Sequence, residues 1–244
     1  MSAHPRSLAA VFTAILMVLT VHAANAETIE AVLDRSQHTR LSQRPAADTN
    51  SAAAQRVKAA LTRLLALRDG ANVDLVLVGG ELFAEALLDR PGLAVSQAVG
   101  DLPEGERLLL LAHELGHLRL GHPDALKALY HAHIPGEVRR EVTDRAATAL
   151  GPAAHALSHL HELEADAYGY ALVRRLGFGI DNAFGLLTRQ GLQMDSATHP
   201  GTRRRLAQLR ALEEQLQREA ASLTTAPLIL DQVAGSAGRR FVQK

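Results

Sequence analysis

The sequence predicts a mainly α fold with a small β-sheet, an α+β architecture. Apolar residues recur at three- and four-residue intervals through most of residues 51–223, and β-branched runs are few and short. Hydrophobic residues make up 47% of the 244, against 21% charged, so the chain can bury a core. Residues 1–26 read as a cleaved signal peptide. Arg6 precedes an apolar run over residues 8–21, shorter than the roughly 20 residues a spanning helix needs, and Ala24-Asn25-Ala26 forms a small-x-small cleavage site. Cleavage after Ala26 leaves an exported chain with no transmembrane anchor. Residues 27–50 form a polar N-terminal segment ending in the linker-like SQRPAADTN, and the folded domain is expected over 51–223, followed by a tail over 224–244.

Within that domain each element has its own signal. Val57, Leu61, Leu64 and Leu65 lie at helical spacing and Asp69-Gly70 supplies a stop, which predicts a helix over 51–68. VDLVLV at 73–78, closed by Gly79-Gly80, predicts a strand, and residues 93–99 after Pro91-Gly92 a second. Helices are predicted over 103–120, 123–131, 136–150, 152–176, 181–192 and 202–223. No internal repeat is present.

Composition narrows the chemistry. The 26 basic residues cancel the 26 acidic ones, so no net field draws the chain to nucleic acid or anionic lipid. The absence of cysteine excludes disulfides, thiolate metal sites and a Cys nucleophile. Aromatic residues at 3%, with no Trp, argue against a stacking platform for single strands or sugars. Any metal must sit on nitrogen and oxygen.

The stretch LLLLAHELGHLRLGH supplies such donors. His113 and His117, at i and i+4, share one helix face, where both imidazoles can reach one zinc ion. Glu114 projects beside the metal, where its carboxylate can take a proton from water. A catalytic zinc needs a third protein ligand and an open position. HELEAD at 161–166 offers one: Glu162 can complete the site, and Asp166, one turn on, can accept the free ring N–H of a ligand histidine. Glu164, two residues after Glu162, points away and is expected to be solvated.

HELGH at 113–117, ELEAD at 162–166 and THPGTRRRL at 198–206 together resemble the zinc metallopeptidases that include the CAAX prenyl endopeptidases, HtpX, Oma and the periplasmic BepA-like proteins. The resemblance covers roughly residues 51–215 and implies a gluzincin-type metallopeptidase domain holding one Zn(2+) per chain. It implies His113, His117 and Glu162 as metal ligands, Asp166 as their support and Glu114 as general base. Its third element, a His-Pro pair followed by a helix-borne Arg, maps onto His199, Pro200 and Arg205. Either His199 or Arg205 is the expected donor to the developing oxyanion, or His199 closes the fourth zinc position and makes the site latent. The resemblance further implies protein or peptide substrates, a periplasmic location and a part in envelope protein quality control. Unlike membrane-bound relatives the chain is expected to have no spanning helices, and unlike the BepA-like ones no repeat domain is expected after the catalytic core.

Other readings compete. A chaperone or assembly factor with structural zinc and negligible proteolysis would share these motifs. Metal storage by the ten histidines that follow residue 26 would bind several ions per chain. The pairs His155/His159 and His131/His133 are weaker candidates for a second metal site, and Arg203 to Arg205 with Arg210 read as a solvated basic face. An extended substrate is expected along a sheet edge, either the 73–78 or the 93–99 strand.

Overall fold

A computed structural model of the chain describes residues 27–67, 72–189 and 191–237, with side chains described as far as residue 222. The expected signal peptide, the helix stop at Asp69-Gly70 and residues 238–244 lie outside the described residues. The architecture is mainly α with one three-stranded sheet. In chain order it runs α1 (Ile29–Ser42), α2 (Ala52–Leu65), β1 (Asp74–Val78), β2 (Ala84–Ala86), β3 (Gly92–Ser96), α3 (Glu104–Arg119), α4 (His122–His133), α5 (Arg140–Arg174), α6 (Ile180–Thr188) and α7 (Thr202–Ala237). No helix among the described residues is long and apolar enough to cross a membrane.

The sheet has the order β1-β3-β2, with β1 parallel and β2 antiparallel to β3. β3 is buried along its whole length and bonded on both sides, as an apolar central strand must be. The 93–99 run therefore ends early as a strand, turning into a 3-10 helix over Gln97–Asp101, and it is not a sheet edge. β1 is the edge farther from α3. The edge beside α3 is β2, three residues too short for any alternation to announce.

The polar 27–50 segment also holds more order than its composition suggests. Thr28 caps α1, accepting from the Ala31 N–H at 3.4 Å, and Ile29 is buried with Ile134 and Leu150 in a small core of its own. From α1 the buried Gln37 donates to the Ala86 carbonyl at 3.0 Å and accepts from the Leu88 N–H at 2.8 Å, fastening the end of β2. The two helices predicted over 136–150 and 152–176 are one, α5, with Pro152 inside it. Proline removes a helical hydrogen bond and crowds the preceding turn. Packing on both sides outweighs that cost: Leu150 is buried in the small core, and Tyr170, Leu172 and Val173 in the large one. α7 likewise runs past the expected end at 223 to Ala237.

The large core joins α2, β3, α3, α5 and α7 through Leu64, Leu93, Leu108, Leu111, Tyr170 and Leu209. Tyr168 packs against it, and Arg210 lies over the Phe184 ring at 4.5 Å from its centroid. At its centre α3 and α5 cross with almost no side chain between them. A Cβ added to Gly169 would lie 2.7 Å from the His113 nitrogen, and one on Gly116 3.1 Å from the Ala165 Cα. We expect Gly169→Ala to force the helices apart, lowering stability by about 1–3 kcal/mol, the usual cost of overpacking. A urea denaturation midpoint unchanged from wild type would contradict this.

Candidate metal centre

α3 carries His113, Glu114 and His117 on a helix buried around most of its circumference, and the crossing brings the middle of α5 against it. Glu162 and Asp166, one turn apart on α5, therefore face the two imidazoles. His113 Nε2 stands 3.1 Å from His117 Nε2 and 3.5 Å from Glu162 Oε2, and His117 Nε2 stands 3.4 Å from Glu162 Oε1. A tetrahedral ion with bonds of about 2.0–2.1 Å separates its ligand atoms by roughly 3.3 Å, so this triangle has the size of a zinc site. Glu162 Oε2 is buried and accepts no hydrogen bond, so that carboxylate oxygen is left for a cation. Two nitrogens and one oxygen form a donor set suited to zinc.

Each donor is oriented from behind. His113 Nδ1 donates to Asp166 Oδ1 at 2.9 Å, which turns its Nε2 toward His117 and Glu162. Arg205 on α7 donates to Asp166 from Nε at 2.7 Å and from its NH2 nitrogen at 2.6 Å, and its NH1 nitrogen stands 3.7 Å from Glu162 Oε2. The electrostatics follow. Burial alone would push Asp166 and Glu162 up, but Arg205 and His113 hold Asp166 below its usual range, and the two histidines hold Glu162 far down. Burial alone would push His113 down, yet Asp166 and Glu162 draw it up to about 10. The centre attracts positive charge. Glu114 differs: burial raises its carboxyl, opposed by the neighbouring histidines.

The centre opens on a cleft of about 460 Å³ walled by Phe83 to Ala86 on one side and by His122, His161 and Ser158 on the other. A smaller cavity of about 190 Å³ lies beside Glu114 and is lined by Leu109, Leu110, Leu186, Leu187 and Leu209. His199 borders both. Its Nε2 is 3.6 Å from Glu162 Oε1, yet it stands outside the three-donor cluster. Burial lowers its pKa against the pull of Glu162. The loop that carries it is fastened to α5, because His159 Nε2 donates to the Ser196 carbonyl at 2.8 Å and His155 Nδ1 to that of Ala197 at 3.2 Å.

His155 and His159 are thus loop anchors, not metal donors. His131 pairs with Glu30 at 2.6 Å, and His133 donates to the Leu129 carbonyl at 3.0 Å. Sequence reasoning missed His122 and His161; Glu164 is exposed as expected, but it is not without a partner. The two histidine rings stack at 3.9 Å and 4° beside His117, and Glu164 Oε2 lies 3.2 Å from His122 Nε2. Stacked rings keep their lone pairs in two parallel planes, so an ion among His122, His161 and Glu164, although their donor atoms are close enough to hold one, could not lie in the plane of both rings. No spacing rule could have found His122. It follows His117 by five residues, off any common helix face, and meets it because Gly121, at φ 71°, turns the chain between α3 and α4.

Comparison with known proteins gives one match: the sequence model described as peptidase family M48 fits residues 93–213. Neither the curated proteins nor the solved structures yielded a match.

Proposed function

Because the chain belongs to peptidase family M48, whose members are zinc metallopeptidases, we propose that it is an exported zinc-dependent metalloendopeptidase with Glu114 as general base. The observation that carries this reading is the triangle of His113, His117 and Glu162 donors, 3.1 to 3.5 Å apart at the floor of a cleft edged by β2. Those three residues would hold one zinc ion. When bound, zinc lowers the pKa of a water to about 7 and polarises a peptide carbonyl. Glu114 takes the proton of the attacking water and returns it to the leaving nitrogen, a transfer favoured by burial, which raises its carboxyl. Asp166, held by two bonds from Arg205, keeps the lone pair of His113 on the metal side. With its Nε and NH2 nitrogens committed to Asp166, Arg205 serves chiefly to orient, and the oxyanion donor is His199.

The substrate lies extended along β2. The Leu87 N–H donates to the Gly92 carbonyl at 2.8 Å, so by the alternation of an antiparallel ladder Ala84 and Ala86 turn their polar groups outward. The Ala86 carbonyl is engaged by Gln37, which leaves Ala84 to pair with an incoming main chain. The leucine-lined cavity beside Glu114 suits an aliphatic side chain next to the scissile bond. The signal-like first 26 residues support export to the periplasm, and recognition through main-chain bonds is sequence-tolerant, as proteolysis of misassembled envelope proteins requires.

Metal analysis of the purified mature chain, run beside casein cleavage, tests the proposal. We expect one zinc per chain, with cleavage abolished by chelation and restored by zinc. Undiminished cleavage after zinc removal, or several ions per chain as in metal storage, would refute it. His199→Ala should lower kcat about 10²–10³-fold with zinc content unchanged, the usual cost of losing one oxyanion donor. Faster cleavage would instead identify His199 as a plug on the fourth metal position.

A further inference from the structure

We infer that His122, backed by Glu164, is a positioning residue for the metal, accepting the Nδ1 proton of His117 so that the His117 Nε2 lone pair stays on the ion. It rests on the metal centre proposed above and adds a second orienting device to the Asp166 one. His117 Nδ1 lies 3.0 Å from His122 Nδ1, and His122 Nε2 lies 3.2 Å from Glu164 Oε2. Only one of the two facing Nδ1 atoms can carry a proton, and Glu164 decides which. A carboxylate only accepts, so His122 carries its proton on Nε2 and its Nδ1 is bare. His117 then donates from Nδ1, and its Nε2 is free for the metal. The opposite arrangement would place a proton on His117 Nε2, aimed at His113 Nε2 only 3.1 Å away, and would exclude a cation.

The two ligand histidines are thus held by related means. Asp166 takes the His113 proton directly, whereas Glu164 acts on His117 through an intervening imidazole. That ring cannot swing freely, being buried and stacked on His161. Glu164 itself is half-exposed, so it can be replaced without opening the core. Its position two residues after Glu162, which turns it from the metal, is what aims it at His122.

The test compares zinc affinity of the full chain, by competition with a chromophoric chelator, in wild type, His122→Phe, His122→Asn and Glu164→Leu. Phenylalanine keeps a ring on His161 but removes the acceptor, and asparagine returns an oxygen near the place of Nδ1. We expect zinc binding about 10–100-fold weaker in His122→Phe, the range for loss of a partner behind a ligand. His122→Asn should recover most of that loss, and Glu164→Leu should weaken binding less than His122→Phe. Cobalt-substituted His122→Phe should show shifted visible bands, while the zinc-free variants melt as wild type does. Wild-type affinity in both His122→Phe and Glu164→Leu would overturn the inference, as would an asparagine variant no tighter than the phenylalanine one. If wild type binds zinc no better than His113→Ala, the metal centre itself fails and this inference with it.

Discussion

Glu114→Gln is expected to retain its zinc and to lose casein cleavage by about 10²–10⁴-fold in kcat, the range for removing a positioned general base. Glutamine has nearly the same shape, so it can fill the same place in the cleft beside β2. It cannot take a proton from water. The loss should therefore fall on kcat with KM little changed, as when an interaction is made only in the transition state. Retained zinc is the essential control, because Glu114 lies beside the donor triangle and not within it. The same variant separates the enzyme from a chaperone or assembly factor with structural zinc, whose biological activity would survive it. Unimpaired cleavage by Glu114→Gln would remove Glu114 from the mechanism.

Glu162→Ala is expected to lose both zinc and cleavage. It removes the carboxylate that, among the described residues, pairs with His113 Nε2 and His117 Nε2 together, at 3.5 and 3.4 Å. The fall in zinc affinity should exceed the roughly 10–100-fold that loss of a supporting partner costs, since a ligand is deleted and not merely disoriented. Stability of the zinc-free chain should suffer too. The NH1 nitrogen of Arg205, 3.7 Å from Glu162 Oε2, would be left facing two histidines with less negative charge among them. Titration with zinc, followed by the melting temperature at each step, reads both effects. A variant stabilised by zinc as strongly as wild type would show that the third ligand lies elsewhere.

Much of this site was legible beforehand because its chemistry is encoded over short distances. Four residues of helix put His113 and His117 on one face whatever the rest of the chain does, and the same spacing ties Glu162 to Asp166. The order of the HELGH, ELEAD and His-Pro motifs then named the partners. The fold was read well where periodicity was strong, as in α2 and α3, and poorly where length or polarity hid it. β2 is too short for a pattern, α1 is too polar for one, and Pro152 marks a boundary that α5 does not observe.

The sequence by itself determined the candidate donors, their helical pairing and the mainly α class, because these follow from backbone geometry within a few residues. Tertiary structure alone decided how close the two helices come, through Gly116 and Gly169, and so whether Glu162 can reach the imidazoles. It also decided that β2 forms the wall of the cleft, that Arg205 grips Asp166, and that His122 and Glu164 stand behind His117. Those contacts join residues from 5 to 56 positions apart along the chain, and steric fit between packed surfaces sets them. Local periodicity carries no record of that fit.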